Sequence, residues 1–228
     1  ICREAVDLGW MMHRLAFVAG REDDQQVKRL ISGLVRAKGR ALPMTQSLLQ
    51  RISRKDNPQI VLGAFGQRWD SLDQIDSSKY ETWVALDRVR DPGNLGTVMR
   101  SADAVGASGI ILIGDCTDPY SVEAVRASMG AVFNTRIIAC SEPTFLKFAV
   151  GWQGRIIGTT LPAAIDYQKA DYNRPLILLM GNEQSGLTDN LMRACGQLIK
   201  LPMLGRSDSL NLAVATGVVL YEALARRG

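Results

Sequence analysis

Three polar, glycine-bearing segments carry most of the side chains in this sequence that could do chemistry. The first, residues 91–100, contains Asn94, Gly93, Gly96 and Arg100. Its glycines allow close backbone approach, and a helix starting there would offer free N–H groups to an anion. Arg100 lies two turns from the start of the segment, so its guanidinium could reach back. The second, Gly181-Asn-Glu-Gln-Ser-Gly186, places the carboxylate of Glu183 between two glycines, directly after the most hydrophobic run of the chain. A neighbouring helix N-terminus would stabilise that charge. The third, residues 201–212, contains Asp208, Ser209 and Asn211. Taken alone, Asp208 or Ser209 reads as a helix N-cap.

Other chemistries are poorly supplied. The single histidine, His13, sits among apolar neighbours in a helix-like stretch, so it reads as structural and leaves no base for a Ser/His/Asp machine. The four cysteines (Cys2, Cys116, Cys140, Cys195) form no C-x-x-C pair, and no zinc or other metal site is expected. They read as reduced core residues in a reducing compartment, so a cytoplasmic location is expected.

The elements that must position these segments follow from hydrophobic periodicity. In the first third, Val6, Leu8, Trp10, Met11, Leu15 and Phe17 suggest a helical group, and Val27 to Val35 an amphipathic helix. A turn-prone Arg-Ala-Leu-Pro stretch follows, then a short helix over 45–52 and a strand over 59–65. Residues 69–79 are Ser/Asp-rich and read as a linker. From Glu81 onward apolar strands (82–86, 109–113, 135–139, 155–159, 176–180, 198–201) alternate with helices (95–105, 121–129, 144–150, 187–195, 210–226). That alternation predicts an α/β domain built on a parallel sheet covered on both faces. In such folds ligands sit beyond the carboxyl ends of the strands, where the three polar segments fall. Two domains are expected, 1–78 and 79–228.

The chain has 228 residues, 46% of them hydrophobic and 22% charged, with no apolar run of membrane-spanning length. Its start at Ile1 instead of Met suggests a truncated N-terminus, and no secretory signal is visible. Residues 81–228 carry 14 charges of each sign, so the whole net charge of +4 belongs to the first 80 residues. Between 25 and 60 stand eight basic residues (Lys28, Arg29, Arg36, Lys38, Arg40, Arg51, Arg54, Lys55) against the single acid Asp56. Such a cluster is the electrostatic footprint of a phosphate-binding surface, although a solvated helix face would look the same. No aromatic residue interrupts it to stack on bases.

In this order, N-x-G-x-x-x-R (Asn94, Gly96, Arg100), G-x-E-x-x-G (Gly181, Glu183, Gly186) and P-M-x-G-x-x-x-S-L-N (Pro202 to Asn211) resemble the three motifs of the SpoU/TrmH family of RNA ribose 2′-O-methyltransferases. The resemblance spans roughly 83–226, and Leu201 and Leu212 stand where the family often has Ile and Val. It implies a parallel-sheet SPOUT domain with a C-terminal trefoil knot, preceded by a small α/β RNA-binding domain. S-adenosylmethionine would lie in the knot, with Gly181, Leu201 and Leu210 at the cofactor positions. Arg100 matches the family's catalytic arginine, and Asn94, Glu183, Ser209 and Asn211 would orient it, the ribose and the cofactor. The expected partners are ribosomal RNA ahead of transfer RNA, contacted through Lys28, Arg36, Lys38 and Arg40, and a second copy of the chain.

Two other readings compete. A non-catalytic RNA-binding or ribosome-assembly protein could keep the fold, but it would be free to lose Asn94, Arg100, Glu183, Ser209 and Asn211. A nicotinamide-dependent dehydrogenase would lack its glycine fingerprint and leave the basic cluster unexplained.

Overall fold

The computed structural model describes residues 1–53, 60–160 and 164–226. They form two compact units, 1–67 and 68–228.

The first unit contains α1 (Cys2–Asp7), β1 (Met12–Val18), α2 (Gln25–Arg36), β2 (Arg40–Met44), α3 (Gln46–Ser53) and β3 (Val61–Phe65). Its sheet runs β2-β1-β3, with β2 parallel and β3 antiparallel to β1. Two expectations change here. The apolar group at 6–17 is not one helix: Gly9, at φ 73°, ends the first turns. The chain then re-enters as β1, whose Leu15 and Phe17 alternate into a core with Val27, Leu30 and Leu34 of α2. His13 is therefore an exposed strand residue. The Arg-Ala-Leu-Pro stretch is a strand, not a turn. Pro43 is tolerated because β2 lies at the sheet edge, where a missing N–H leaves no ladder bond unmade. Gln59, the predicted start of β3, lies outside the described residues.

The second unit begins earlier than the sequence suggests. Residues 69–79 are not a free linker: Asp70 bridges to Ile138, and a 3-10 turn at Leu72–Gln74 sends Leu72 and Ile75 into the second unit's core. Isolated apolar side chains in a polar stretch carry too little periodicity to reveal such docking. The elements that follow are β4 (Thr82–Asp87), α4 (Pro92–Ala104), β5 (Gly109–Ile113), α5 (Val122–Ala127), β6 (Arg136–Cys140), α6 (Glu142–Val150), β7 (Arg155–Thr159), β8 (Ile165–Asp166), β9 (Leu176–Met180), α7 (Asp189–Ala194), β10 (Gln197–Lys200) and α8 (Leu212–Ala225). With two residues, β8 is too short to leave a period in the sequence.

Seven strands make one sheet in the order β6-β5-β4-β9-β7-β10-β8, and every pairing is parallel. Residues of α4, α5 and α8 bury their apolar sides in a core on one face. Residues of α6 and α7 join those of the 72–75 turn in the other. All five residues of β9 are buried, as a central strand covered on both sides requires. The order of connection reverses at β4: β5 and β6 continue to one side, whereas β9 pairs on the other. At that reversal an open sheet leaves a crevice beyond the carboxyl ends of β4 and β9, the general position of ligand sites in α/β folds.

Candidate active site

Leu86 pairs with Met180, so the segments leaving β4 and β9 emerge side by side. After β4, Asp91 caps α4 by accepting from Asn94 N at 2.6 Å, with Pro92 in the first turn. The helix therefore starts three residues before the predicted Leu95, and an aspartate already occupies an N–H of its first turn. That N-terminus is no open phosphate cradle. Gly96 is also not a ligand approach: a Cβ there would lie 2.4 Å from Ala124 O and 2.5 Å from Ala127 Cβ. Its role is to let α4 and α5 touch.

After β9, residues 182–186 form a tight turn closed by reciprocal backbone bonds between Asn182 and Gly186, with Gly186 at φ 66°. Asn182 Oδ1 accepts from Gln184 N and Ser185 N at 2.9 and 3.1 Å, which fixes the inside of the turn. Gly181 must be glycine, since a Cβ would meet Gly186 C and Leu187 N at 2.6 Å. Glu183 projects from this turn. The third segment ends where Asn211 caps α8, its Oδ1 accepting from Ala213 N at 2.9 Å and Val214 N at 3.3 Å. The cap is thus Asn211, neither Asp208 nor Ser209.

The three segments are joined by side chains. Asn211 Nδ2 donates to Asn94 Oδ1 at 2.8 Å, and Asn94 Nδ2 donates to Glu183 Oε1 at 3.3 Å. Beside this chain lies a cavity of about 470 Å³, within the usual range of small-molecule sites. Of the residues expected at the site, Gly181, Leu201 and Leu210 line it, together with Glu183 and Ser209. Sequence reasoning missed Thr159 and Thr160, at the carboxyl end of β7, and the apolar Met180 and Met203. The strand-end rule could have supplied the threonines.

Arg100 is not brought into the cavity. It is exposed on α4, and its guanidinium makes no hydrogen bond or ion pair with a described residue, so it does not reach back to its loop. Ser209 likewise makes no hydrogen bond to a described residue and is left available at the rim. No group of described His, Cys, Asp or Glu residues could hold a metal ion. Burial pushes the thiols of Cys116 and Cys140 up to about 11 and that of Cys195 to about 12, so none is a ready nucleophile.

In the first unit, Arg36, Lys38 and Arg40 cluster where α2 turns into β2, with Lys38 at φ 53°. Lys28 sits two turns back on α2 and is ion-paired to Asp23 at 2.8 Å. Arg54 and Lys55 lie outside the described residues.

The cavity has the chemistry that S-adenosylmethionine asks for. It offers apolar walls from Met180, Leu201, Leu210 and Leu212, a glycine-bearing backbone turn, and the carboxylate of Glu183, which suits a cationic ligand. Known proteins agree with it. The chain is 31% identical, over 98% of its length and 79% of the relative's, to a 23S rRNA (uridine(2479)-2′-O)-methyltransferase of Streptomyces viridochromogenes. It superimposes on an AdoMet-bound rRNA methyltransferase from Sinorhizobium meliloti with a TM-score of 0.93 and 44% identity, covering 100% of this chain and 85% of that one. The AdoMet complex of the SpoU methyltransferase AviRb from S. viridochromogenes gives a TM-score of 0.86 at 29% identity, covering 98% and 86%. Residues 81–221 match the family described as SpoU rRNA methylase, and on this fold, these motifs and these relatives the chain belongs to that family.

Proposed function

We infer that this protein is an S-adenosylmethionine-dependent enzyme that methylates ribose 2′-hydroxyls of structured RNA, ribosomal RNA in the first place. The observation that carries this reading is the Asn211–Asn94–Glu183 relay, which fastens the loop after β4 to the two loops that line the largely apolar cavity at the carboxyl ends of β7, β9 and β10.

When bound, S-adenosylmethionine supplies a methyl group already activated on a sulfonium sulfur. What remains for the protein is alignment, and holding two reactants in line is worth roughly 7–11 kcal/mol. Gly181, Leu201 and Leu210 would hold the cofactor. Glu183, held by Asn94, and Ser209 at the rim would orient the ribose. Arg100, whose guanidinium is engaged by no described residue, would clamp an adjacent phosphate and polarise the 2′-hydroxyl. An arginine is a poor base, with a pKa above about 12, so clamping suits it better than proton removal.

Arg100 would act in a homodimer. Val214, Val218 and Tyr221 of α8 are 53%, 36% and 55% exposed at i, i+4 and i+7, one apolar stripe on a helix face. Gly217, within the stripe, packs near Ser101, the neighbour of Arg100. A second copy seated on that stripe would lie beside α4, the helix that carries Arg100. The C-terminal segment through β10 and α8 would be threaded as a trefoil knot, as the resemblance of its motifs to the family implies. The first unit would grip RNA through Arg36, Lys38 and Arg40, with Lys28 helping less. No helix among the described residues is long and apolar enough to cross a membrane. A protein acting on ribosomal RNA belongs in the cytoplasm.

The test is to map 2′-O-methyl sites in total RNA with and without the gene, and to assay the purified protein with labelled S-adenosylmethionine on unmodified ribosomal RNA. One ribosomal site lost with the gene and restored in vitro is expected. Unchanged maps, with no transfer in vitro, would overturn the reading.

A further inference from the structure

Asp87 ends β4 with a carboxylate that is only 1% exposed, and the next residue, Arg88, turns the chain at φ 50°. This left-handed conformation is one that residues with side chains rarely adopt. Arg88 answers the buried charge with a fork: Nε lies 2.9 Å from Asp87 Oδ1 and Nη2 lies 2.8 Å from Oδ2. The carboxylate in turn holds the guanidinium charge more firmly than usual. Neutralising Asp87 would need only a cation, yet Arg88 does more. Its Nη2 also donates to Gly186 O at 3.3 Å, and its own carbonyl accepts from Asn182 Nδ2 at 2.8 Å. One residue thereby grips both ends of the 182–186 turn that flanks the cavity and carries Glu183.

We propose that Arg88 is a positioning residue that sets the orientation of the 182–186 turn and so the shape of the cofactor site. The proposal rests on the functional reading given above. Backbone strain retained behind a site, where glycine would remove it, is expected when the side chain performs a task no glycine can. The buried aspartate keeps the guanidinium from swinging into solvent, so the second N–H of Nη2 stays aimed at Gly186.

The direct change, Arg88→Gly, strands a buried carboxylate and risks the fold. The informative variant is Asp87→Asn with Arg88→Gly, which removes charge and counter-charge together, relieves the left-handed strain and deletes the guanidinium's bond to Gly186 while keeping the backbone carbonyl that Asn182 donates to. Arg88→Lys keeps a cation beside Asp87 but lacks the fork. Both proteins are measured by thermal melting, by calorimetric titration with S-adenosylmethionine and by steady-state methyl transfer. Loss of one such hydrogen bond predicts a cofactor Kd and KM raised about tenfold in the double variant, with kcat changed less than about threefold. The melting temperature should stay within a few degrees of wild type, and Arg88→Lys should weaken binding as well. Wild-type Kd in both variants would overturn the proposal. So would a fall in kcat at constant KM that matches a loss of folded protein, because that is the signature of a merely structural pair. Failure of the wild-type protein itself to bind S-adenosylmethionine would take down the functional reading, and this proposal with it.

Discussion

Asn211 and Asn94, 117 residues apart, are joined by a 2.8 Å hydrogen bond from Nδ2 to Oδ1, while the other amide oxygen, Asn211 Oδ1, caps α8. Only a side chain with both a donor and an acceptor can do both jobs. Changing Asn211 to Asp keeps the cap and loses the donor, and it sets a carboxylate facing Asn94. Methyl transfer should fall by about tenfold or more from that one missing bond, with little change in melting temperature. Changing it to Ala should also cost about 1 kcal/mol of stability through the absent cap. Equal activity in wild type and Asn211→Asp would remove the relay from the mechanism.

Arg100→Ala should leave calorimetric binding of S-adenosylmethionine intact, since Arg100 does not line the cavity. Transfer to RNA should drop by about 10²–10³, the typical loss for a group that stabilises developing charge. Undiminished transfer would reject the clamp.

For the basic arm, the geometry separates residues that composition treats alike. Neutralising Arg36, Lys38 and Arg40 should lower the slope of log K against log salt by up to about 0.7–0.9 for each phosphate that is no longer neutralised. Neutralising Lys28, already paired with Asp23, should change it less. Equal effects from all four would mean a diffuse field with no localised phosphate site.

Gly96→Ala should destabilise the protein by about 1–3 kcal/mol through overpacking, read as an earlier midpoint in urea. The new methyl would collide with backbone of α5, which cannot step aside as a flexible side chain could.

The buried thiols set an alkaline limit. Cys116, Cys140 and Cys195 have folded values raised by desolvation to about 11, 11 and 12. The unfolded chain then binds fewer protons above pH ~8.5–9, so this contribution to stability is complete below that point and is lost as pH rises toward the folded values. Urea midpoints at pH 7.5 and 10 should differ in that direction, and Cys195→Ser should reduce the difference.

The parallel sheet was legible because its strands are buried on both faces and read as unbroken apolar runs, as Leu176–Met180 does. Gly181, Leu201 and Leu210 came from the family resemblance alone, and all three line the cavity. Two things were hidden. Amphipathic stretches such as 6–17 satisfy helical and strand periods alike, and only Gly9 and pairing with β2 and β3 decide between them. Arg88 was invisible for another reason. Its partners lie at the adjacent Asp87 and nearly a hundred residues away, and no spacing rule links it to the turn it grips.

The tight seat of Gly96 against α5 reaches beyond this chain. A glycine within the first motif is there so that two helices can meet, and Asn211 would be wanted as a cap even if no methyl were ever moved. A sibling that had abandoned catalysis would still be compelled to preserve both letters. What tells a working enzyme from a silent descendant is therefore the residues that the scaffold does not employ, above all Ser209 and Arg100.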